Sequence, residues 1–358
     1  MKIEQQELTE KAIELLKELI SIQSFSGEEH HTAEAIENWF KAFDIPFQRK
    51  DNNVIAKNKH WDDTKPTLLL NSHHDTVKPN TAYTKDPFHP HIEDGKLFGL
   101  GSNDAGGPLV SLIATFTKFY DQEDLNHNLL IAATAEEENA GPKSLRGLLP
   151  SLPKIDVAIV GEPTLMNLAI AEKGLVVFDA VVKGTPSHAA HPNEDNSIYN
   201  TIKVLDWFKN YKFDKVSEAL GEVKLTVTQI NAGTQHNVVP AHTDLVIDVR
   251  VNDCYSNSEI ANILKAEAPC ELQERSLRLN SSSIDKNHPL VQSGVNLGRE
   301  TYGSPTLSDQ AALTCQSMKL GPGDSTRSHS ADEYIYVNEI EEGIDIYIKL
   351  LQGFLIGQ

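Results

Sequence analysis

The sequence predicts an α/β fold in which a helix-flanked, mostly parallel sheet is interrupted by an inserted ferredoxin-like α+β domain. Short apolar runs that read as buried strands alternate with helical patterns up to about residue 170. Beyond that point two-residue alternation takes over, in the order β-α-β-β-α-β. Patterns of the first kind then resume, which divides the chain into a large domain at 1–170 and 284–358 and an insertion at 171–283.

Leu8, Ala12, Leu15, Leu16 and Leu19 recur at helical spacing, so the first segment buries one face. Ser26-Gly27-Glu28-Glu29 has the form of a capping box and predicts a second helix with Ala33, Ile36, Trp39, Phe40 and Phe43 inward. Strands are expected at 54–56, 68–70, 129–133 and 157–160, with a buried helix face at Leu109, Ile113 and Phe116. Val176, Phe178, Ala180 and Val182 alternate as the first strand of the insertion. A helix carrying Ile198, Ile202, Leu205 and Phe208 follows, then strands at 223–227 and 245–251, a helix at 260–264 and a strand at 272–279. The large domain resumes with a helix near Val291, a strand at 318–320 and a last amphipathic helix over 337–355.

A formal charge of −19 argues against nucleic acid and anionic membranes as partners, both of which require clustered Lys and Arg. Cys254, Cys270 and Cys315 are scattered and odd in number, which excludes a fully paired disulfide framework and fits a reducing compartment. No run has membrane-spanning length and the first residues lack a signal-peptide pattern, so a cytoplasmic location is expected.

The chemistry gathers where strands end. His73, His74 and Asp75 follow Leu68-Leu69-Leu70, Asp104 closes a glycine-punctuated loop, Glu136-Glu137-Glu138 follow the 129–133 run, and Glu162 follows 157–160. Successive members are about one strand-plus-helix unit apart, so a sheet would bring them to one edge, where open α/β sheets place their ligands. Singly, three glutamates fit a solvated face, Asp104 a helix N-cap and Glu162 a turn residue. Together with His329 they read as a paired metal site, with Asp104 bridging, His73 and Glu162 on one ion, and Glu138 and His329 on the other. A set without thiolates suits two zinc ions and also accepts Co or Mn. Asp75 shares a strand face with His73 and is expected to fix its tautomer; His74, on the other face, is a bystander. Glu137 is left free to move a proton between water and a leaving amine.

These residues resemble the two-metal aminoacylase/carboxypeptidase superfamily of metallohydrolases, which contains acetylornithine deacetylase and succinyl-diaminopimelate desuccinylase. The marks are His73-His74-Asp75-Thr76, Gly99-Leu100-Gly101-Ser102-Asn103-Asp104, Thr134-Ala135-Glu136-Glu137-Glu138, Gly161-Glu162-Pro163-Thr164 and His329-Ser330-Ala331-Asp332-Glu333, spread over essentially the whole chain. The resemblance implies the same five ligands, with Glu137 as acid/base and the large domain catalytic. It implies an insertion that serves as lid and dimerisation domain, and a homodimer. His188, in Gly184-Thr185-Pro186-Ser187-His188, looks like the histidine that reaches over the site, often from the partner subunit, to stabilise an oxyanion. By itself His188 reads as a turn histidine. Asn237 and Arg250 resemble substrate-contacting positions, although Arg250 also fits a sheet-face ion pair. Two departures stand out: Ala105-Gly106-Gly107 follows Asp104 where a lysine and glycine are frequent, and His74 replaces a residue that is commonly small.

Within the superfamily, Ser308-Asp309-Gln310-Ala311 and the segment from Gly321 to Glu333 look most like acetylornithine deacetylases, which implies N-acetyl-L-ornithine hydrolysis in arginine biosynthesis. Arg327 is the first candidate to hold the substrate carboxylate and Arg250 the second, because a guanidinium pairs with it bidentately. N-succinyl-ornithine, citrulline-type and N-succinyl-diaminopimelate substrates stay open, as does a dipeptidase. The competing classes are a non-catalytic metal or small-molecule binding protein and a two-metal phosphoesterase.

Overall fold

The apolar runs become sheet strands in the computed structural model, which describes residues 4–356. Asn128–Thr134, Thr67–His73, Val157–Val160 and Gln316–Lys319 lie side by side and parallel at the centre of the sheet. Every residue of Thr67–His73 and Asn128–Thr134 is buried, which explains the absence of polar alternation in their sequences. The antiparallel pair Asn53–Lys57 and Phe47–Lys50 extends one margin, and Leu168–Glu172 joins antiparallel at the other. A turn at Asp51-Asn52, with Asp51 at φ 55°, is enough to join the first pair; a parallel neighbour would need a crossover.

Helices Gln5–Ser21, Gly107–Phe119 and Val337–Leu355 build the main core, in which Leu8, Leu16, Phe116 and Tyr347 are fully buried. Burying each such apolar side chain contributes roughly 1.5–3 kcal/mol relative to exposure. The second helix, His30–Ala42, forms without the expected capping box. Its N-cap residue Glu29 makes no side-chain cap bond, and the Ser26 hydroxyl donates instead to Asp75 Oδ2 at 2.6 Å. Glu29 is fully buried, and its carboxylate is satisfied by amides outside the helix.

A second compact unit comprises Ala171–Ser282 and Gly303–Leu307, while the first runs to Ile170 and resumes over Ser283–Tyr302 and from Ser308. The return of Gly303–Leu307 to the second unit is not foreshadowed by the pattern. The unit's antiparallel strands lie in the order Lys224–Ala232, His242–Val251, Gly174–Lys183, Glu271–Glu274, which is the ferredoxin-like arrangement. Phe178, Ile247, Phe208 and Leu264 form its core between the sheet and helices Ser197–Asn210 and Asn257–Glu267. The last strand stops at Glu274, short of the 272–279 pattern, and Leu279 makes only an isolated bridge to Leu175. Among the described residues, no helix is long and apolar enough to cross a membrane.

Candidate metal centre

Parallel register sets the site. His73 is the last residue of its strand and lies opposite Thr134, so the turn carrying Glu136, Glu137 and Glu138 leaves the sheet beside it. Val160 pairs with Asn71 on the other side, which puts Glu162 at the same carboxyl edge. The His73 ring is buried; Nδ1 donates to the Asp75 carbonyl oxygen at 3.0 Å, and Nε2 faces Asp104 Oδ1 at 3.4 Å.

Asp104 comes from an irregular turn, Ser102–Gly106, in which the Asp104–Ala105 peptide bond is cis. The turn is held by Glu333, a buried carboxylate that accepts the amides of Gly101, Asn103 and Asp104 at 3.1, 2.9 and 2.9 Å. Burial, reinforced by the Asp104 charge, pushes Glu333 up to about 8. Asp104 Oδ2 lies 3.7 Å from His329 Nε2, so its two oxygens face the two histidines. Burial is the largest influence and opposes the ionisation of Asp104, but hydrogen bonds to His73 and Ser328 and the charges of His73 and His329 together outweigh it and hold the group below its ordinary 3.8.

Asp75 holds the glutamate turn. Its Oδ1 accepts the Glu137 amide at 3.0 Å and its Oδ2 the Glu138 amide at 3.1 Å. Asp75 also faces His73, as expected: Nδ1 donates to the Asp75 backbone carbonyl and lies 3.4 Å from carboxylate Oδ1, which it shares with the Glu137 amide. Glu137 is held well above the ordinary carboxylate value, first by burial and then by repulsion from Glu162, Asp309 and Glu138.

His73, Asp104 and Glu138 each offer one donor atom, and these atoms lie within 4.8 Å of one another. His329 Nε2 is 3.1 Å from Glu138 Oε2, and this contact leads the causes that raise His329 to about 9. Glu162 is raised to about 8 by burial and the Asp104 charge. Five of the sequence-predicted residues thus share one charge cluster, with Glu137 inside it. No thiol is present in this donor set, which mixes imidazole nitrogens with carboxylate oxygens.

Other residues sit differently. Arg327 was expected to meet a substrate carboxylate, but Nη1 and Nη2 form a two-pronged pair with Glu339 at 2.7 and 2.9 Å, and the guanidinium stacks over Tyr334 and Tyr336. Its fork is therefore committed within the fold. Arg250 is likewise paired, with Asp248 at 2.8 and 3.0 Å on the face of the second unit's sheet. Asn237 is exposed, and its carbonyl accepts the Ala189 amide. His188 is exposed on a short ribbon in which Ser187–His188 pairs with Val238–Val239. His74 is buried between Thr32 Oγ1 and the Asn52 carbonyl, which makes it a structural residue of the large unit.

Sequence reasoning missed Glu29, Glu333 and Asp309. Asp309 is buried, accepts from Thr134 Oγ1 at 2.9 Å, and is raised to about 6 chiefly by burial. Glu333 and Asp309 lie in segments already singled out, and Glu29 in the supposed capping box; only their burial distinguishes them from surface acids.

Residues 69–353 match the family described as Peptidase family M20/M25/M40. Among curated relatives, a succinyl-diaminopimelate desuccinylase of Wolbachia pipientis is 26% identical over 96% of this chain and 93% of its own length. A [LysW]-lysine/[LysW]-ornithine hydrolase of Sulfurisphaera tokodaii is 26% identical over 98% of each. Among solved structures, a tripeptidase from Staphylococcus aureus superimposes with a TM-score of 0.75 at 19% identity, covering 96% of this chain and 98% of that one. A dinuclear metal binding peptidase of Bacillus subtilis gives 0.73 at 14% identity, covering 97% and 98%. The match over most of the sequence, together with the fold and the clustered ligands, places this chain in the M20/M25/M40 peptidase family of metal-dependent hydrolases.

Proposed function

We propose that this chain hydrolyses the amide bond of an N-acyl amino acid, with His73, Asp104, Glu138, Glu162 and His329 holding two divalent metal ions and Glu137 moving the proton. The observation that carries the reading is the convergence of His73, Asp104 and Glu138 within 4.8 Å, with a buried Glu137 beside them. The donor set fits such ions. Asp104 offers one oxygen toward each histidine, and carboxylates that repel one another into holding protons would all ionise around divalent cations. Zinc suits imidazole and carboxylate donors best, and Co or Mn would be accepted. When bound, the ions supply Lewis-acid polarisation and bring the pKa of water toward neutrality.

Glu137 takes a proton from the attacking water as the oxygen–carbon bond forms. It returns that proton to the departing amine as the carbon–nitrogen bond breaks, a role typically worth ~10²–10⁴-fold. Its buried setting favours a carboxyl group that holds the proton between those steps. His188 suits the oxyanion role chemically: Nδ1 accepts the Ala190 amide at 3.1 Å, so Nε2 carries the hydrogen and can donate to a carbonyl oxygen.

For the acyl group, the relatives favour the desuccinylase and lysine- or ornithine-releasing alternatives over acetylornithine. The substrate is accordingly a small N-acyl amino acid of the succinyl-diaminopimelate kind, with N-acetylornithine as the competitor. A homodimer through the second unit is part of the proposal. Its marginal strand Lys224–Ala232 is largely exposed, and the neighbouring helix exposes Ile198, Tyr199 and Ile202. Sedimentation of the purified chain tests the dimer; a fully active monomer would remove it. Amine release from N-succinyl-diaminopimelate, N-acetylornithine, N-succinyl-ornithine, N-acetylcitrulline and a dipeptide, with and without chelator, tests the reaction. Turnover of a succinylated substrate that chelator abolishes is expected, and a flat panel would overturn the reading.

A further inference from the structure

We infer that the 26–29 segment positions the Glu137 carboxylate, with Ser26 and Glu29 acting as positioning residues through Asp75 and Glu136. The inference rests on the proposed role of Glu137 in proton transfer. Glu29 is fully buried, 0% exposed, and its carboxylate is held by neutral donors. One oxygen accepts the amides of Gly27 and Glu136, the latter at 3.2 Å, and the other accepts Asn52 Nδ2 at 2.8 Å. Ser26 Oγ donates to Asp75 Oδ2 at 2.6 Å.

The consequence lies in the turn above them. The amides of Glu136, Glu137 and Glu138 are held in succession by Glu29, Asp75 Oδ1 and Asp75 Oδ2, at 3.2, 3.0 and 3.1 Å. Glu136 adopts φ 55°, a left-handed conformation that a non-glycine residue keeps only when its surroundings fix it. With all three amides tied to buried carboxylates, the peptide planes that carry the Glu137 side chain cannot rotate. The segment is itself anchored: the Thr76 amide donates to the Ser24 carbonyl at 2.9 Å, and Gly27 at φ 95° bends the chain between Ser26 and Glu29. Neither residue belongs to the ligand set, and a displacement of about 1 Å of a reacting group can cost ~100-fold in rate.

The test compares Ser26→Ala, Glu29→Gln and Glu29→Ala in the full zinc-loaded chain, with Gln23→Ala, an exposed residue of the same loop, as control. On N-succinyl-diaminopimelate, or whichever panel substrate turns over, Ser26→Ala should lower kcat about tenfold and Glu29→Ala about 100-fold. KM and zinc content should stay near wild type. Glu29→Gln keeps one carbonyl acceptor and should recover much of the loss; Gln23→Ala should match wild type. If Glu29→Ala does not fold, Ser26→Ala carries the test, and wild-type kcat in it alone overturns the inference. Wild-type kcat in folded Ser26→Ala and Glu29→Ala would overturn the inference, as would losses confined to KM or proportional to zinc content. Glu137→Gln separates the two claims: its retained turnover would remove the proton-transfer reading, whereas its inactivity beside unaffected Ser26 and Glu29 variants would remove the positioning role alone.

Discussion

The carboxylate of Asp75 accepts the backbone amides of Glu137 and Glu138, one on each oxygen, at 3.0 and 3.1 Å. A residue two positions beyond one proposed ligand thereby fixes the turn that carries another. Asp75→Ala would leave these partly buried amides without acceptors, at a cost of up to about 1–3 kcal/mol each. It should lower both kcat and metal retention, whereas Asp75→Asn, which keeps one carbonyl oxygen, should fall between. Equal metal content and kcat in Asp75→Ala and wild type would show that the turn stands without it.

Glu137→Gln preserves size and removes the exchangeable proton. With Glu137 as the proton carrier, kcat should drop ~10²–10⁴-fold while metal stoichiometry and substrate KM hold. Calorimetric metal titration alongside steady-state kinetics reads both quantities, and near-wild-type kcat would reassign the proton transfer.

Metal uptake should release protons. Glu162 holds its proton up to about pH 8 and His329 up to about pH 9 in the metal-free protein, and both must lose it to ligate a cation. Affinity for zinc should therefore strengthen as pH rises toward those values, with proton release measurable by calorimetry in buffers of different ionisation enthalpy. The sign for stability is opposite in the case of Glu162. Its folded value lies above its ordinary 4.5, so the metal-free fold binds more protons than the unfolded chain and loses stability between about pH 4.5 and 8. Zinc affinity that is flat from pH 6 to 9 would contradict both statements.

Arg327→Ala should cost stability without altering substrate binding. The Arg327–Glu339 pair has side chains 15% and 18% exposed, and its loss should lower unfolding free energy by about 1–3 kcal/mol. Denaturant midpoints measure the first effect and KM the second. An unchanged midpoint with a raised KM would return Arg327 to the substrate.

The parallel sheet was legible because its strands are buried on both faces and so read as unbroken apolar runs, as in Leu68-Leu69-Leu70. The ligand cluster was legible because strand ends concentrate side chains at one edge. What escaped is the support beneath it. Ser26 and Glu29 match a helix cap in local pattern, yet the tertiary fold offers both of them partners in distant turns, and burial decides in favour of those. Arg327 shows the same limit: its nearness in sequence to His329 says nothing of Glu339, which pairs with its guanidinium.

Glu333 ties the chemistry to the order of the chain. Its carboxylate grips the Asp104 amide across 229 residues of sequence, and His329 arrives on the same late segment. During synthesis the earlier proposed ligands emerge long before Glu333, so the centre is completed only once that late segment has been made. A product that stops before residue 329 would lack both a proposed ligand and the carboxylate that locks Asp104, so no complete site could assemble in it.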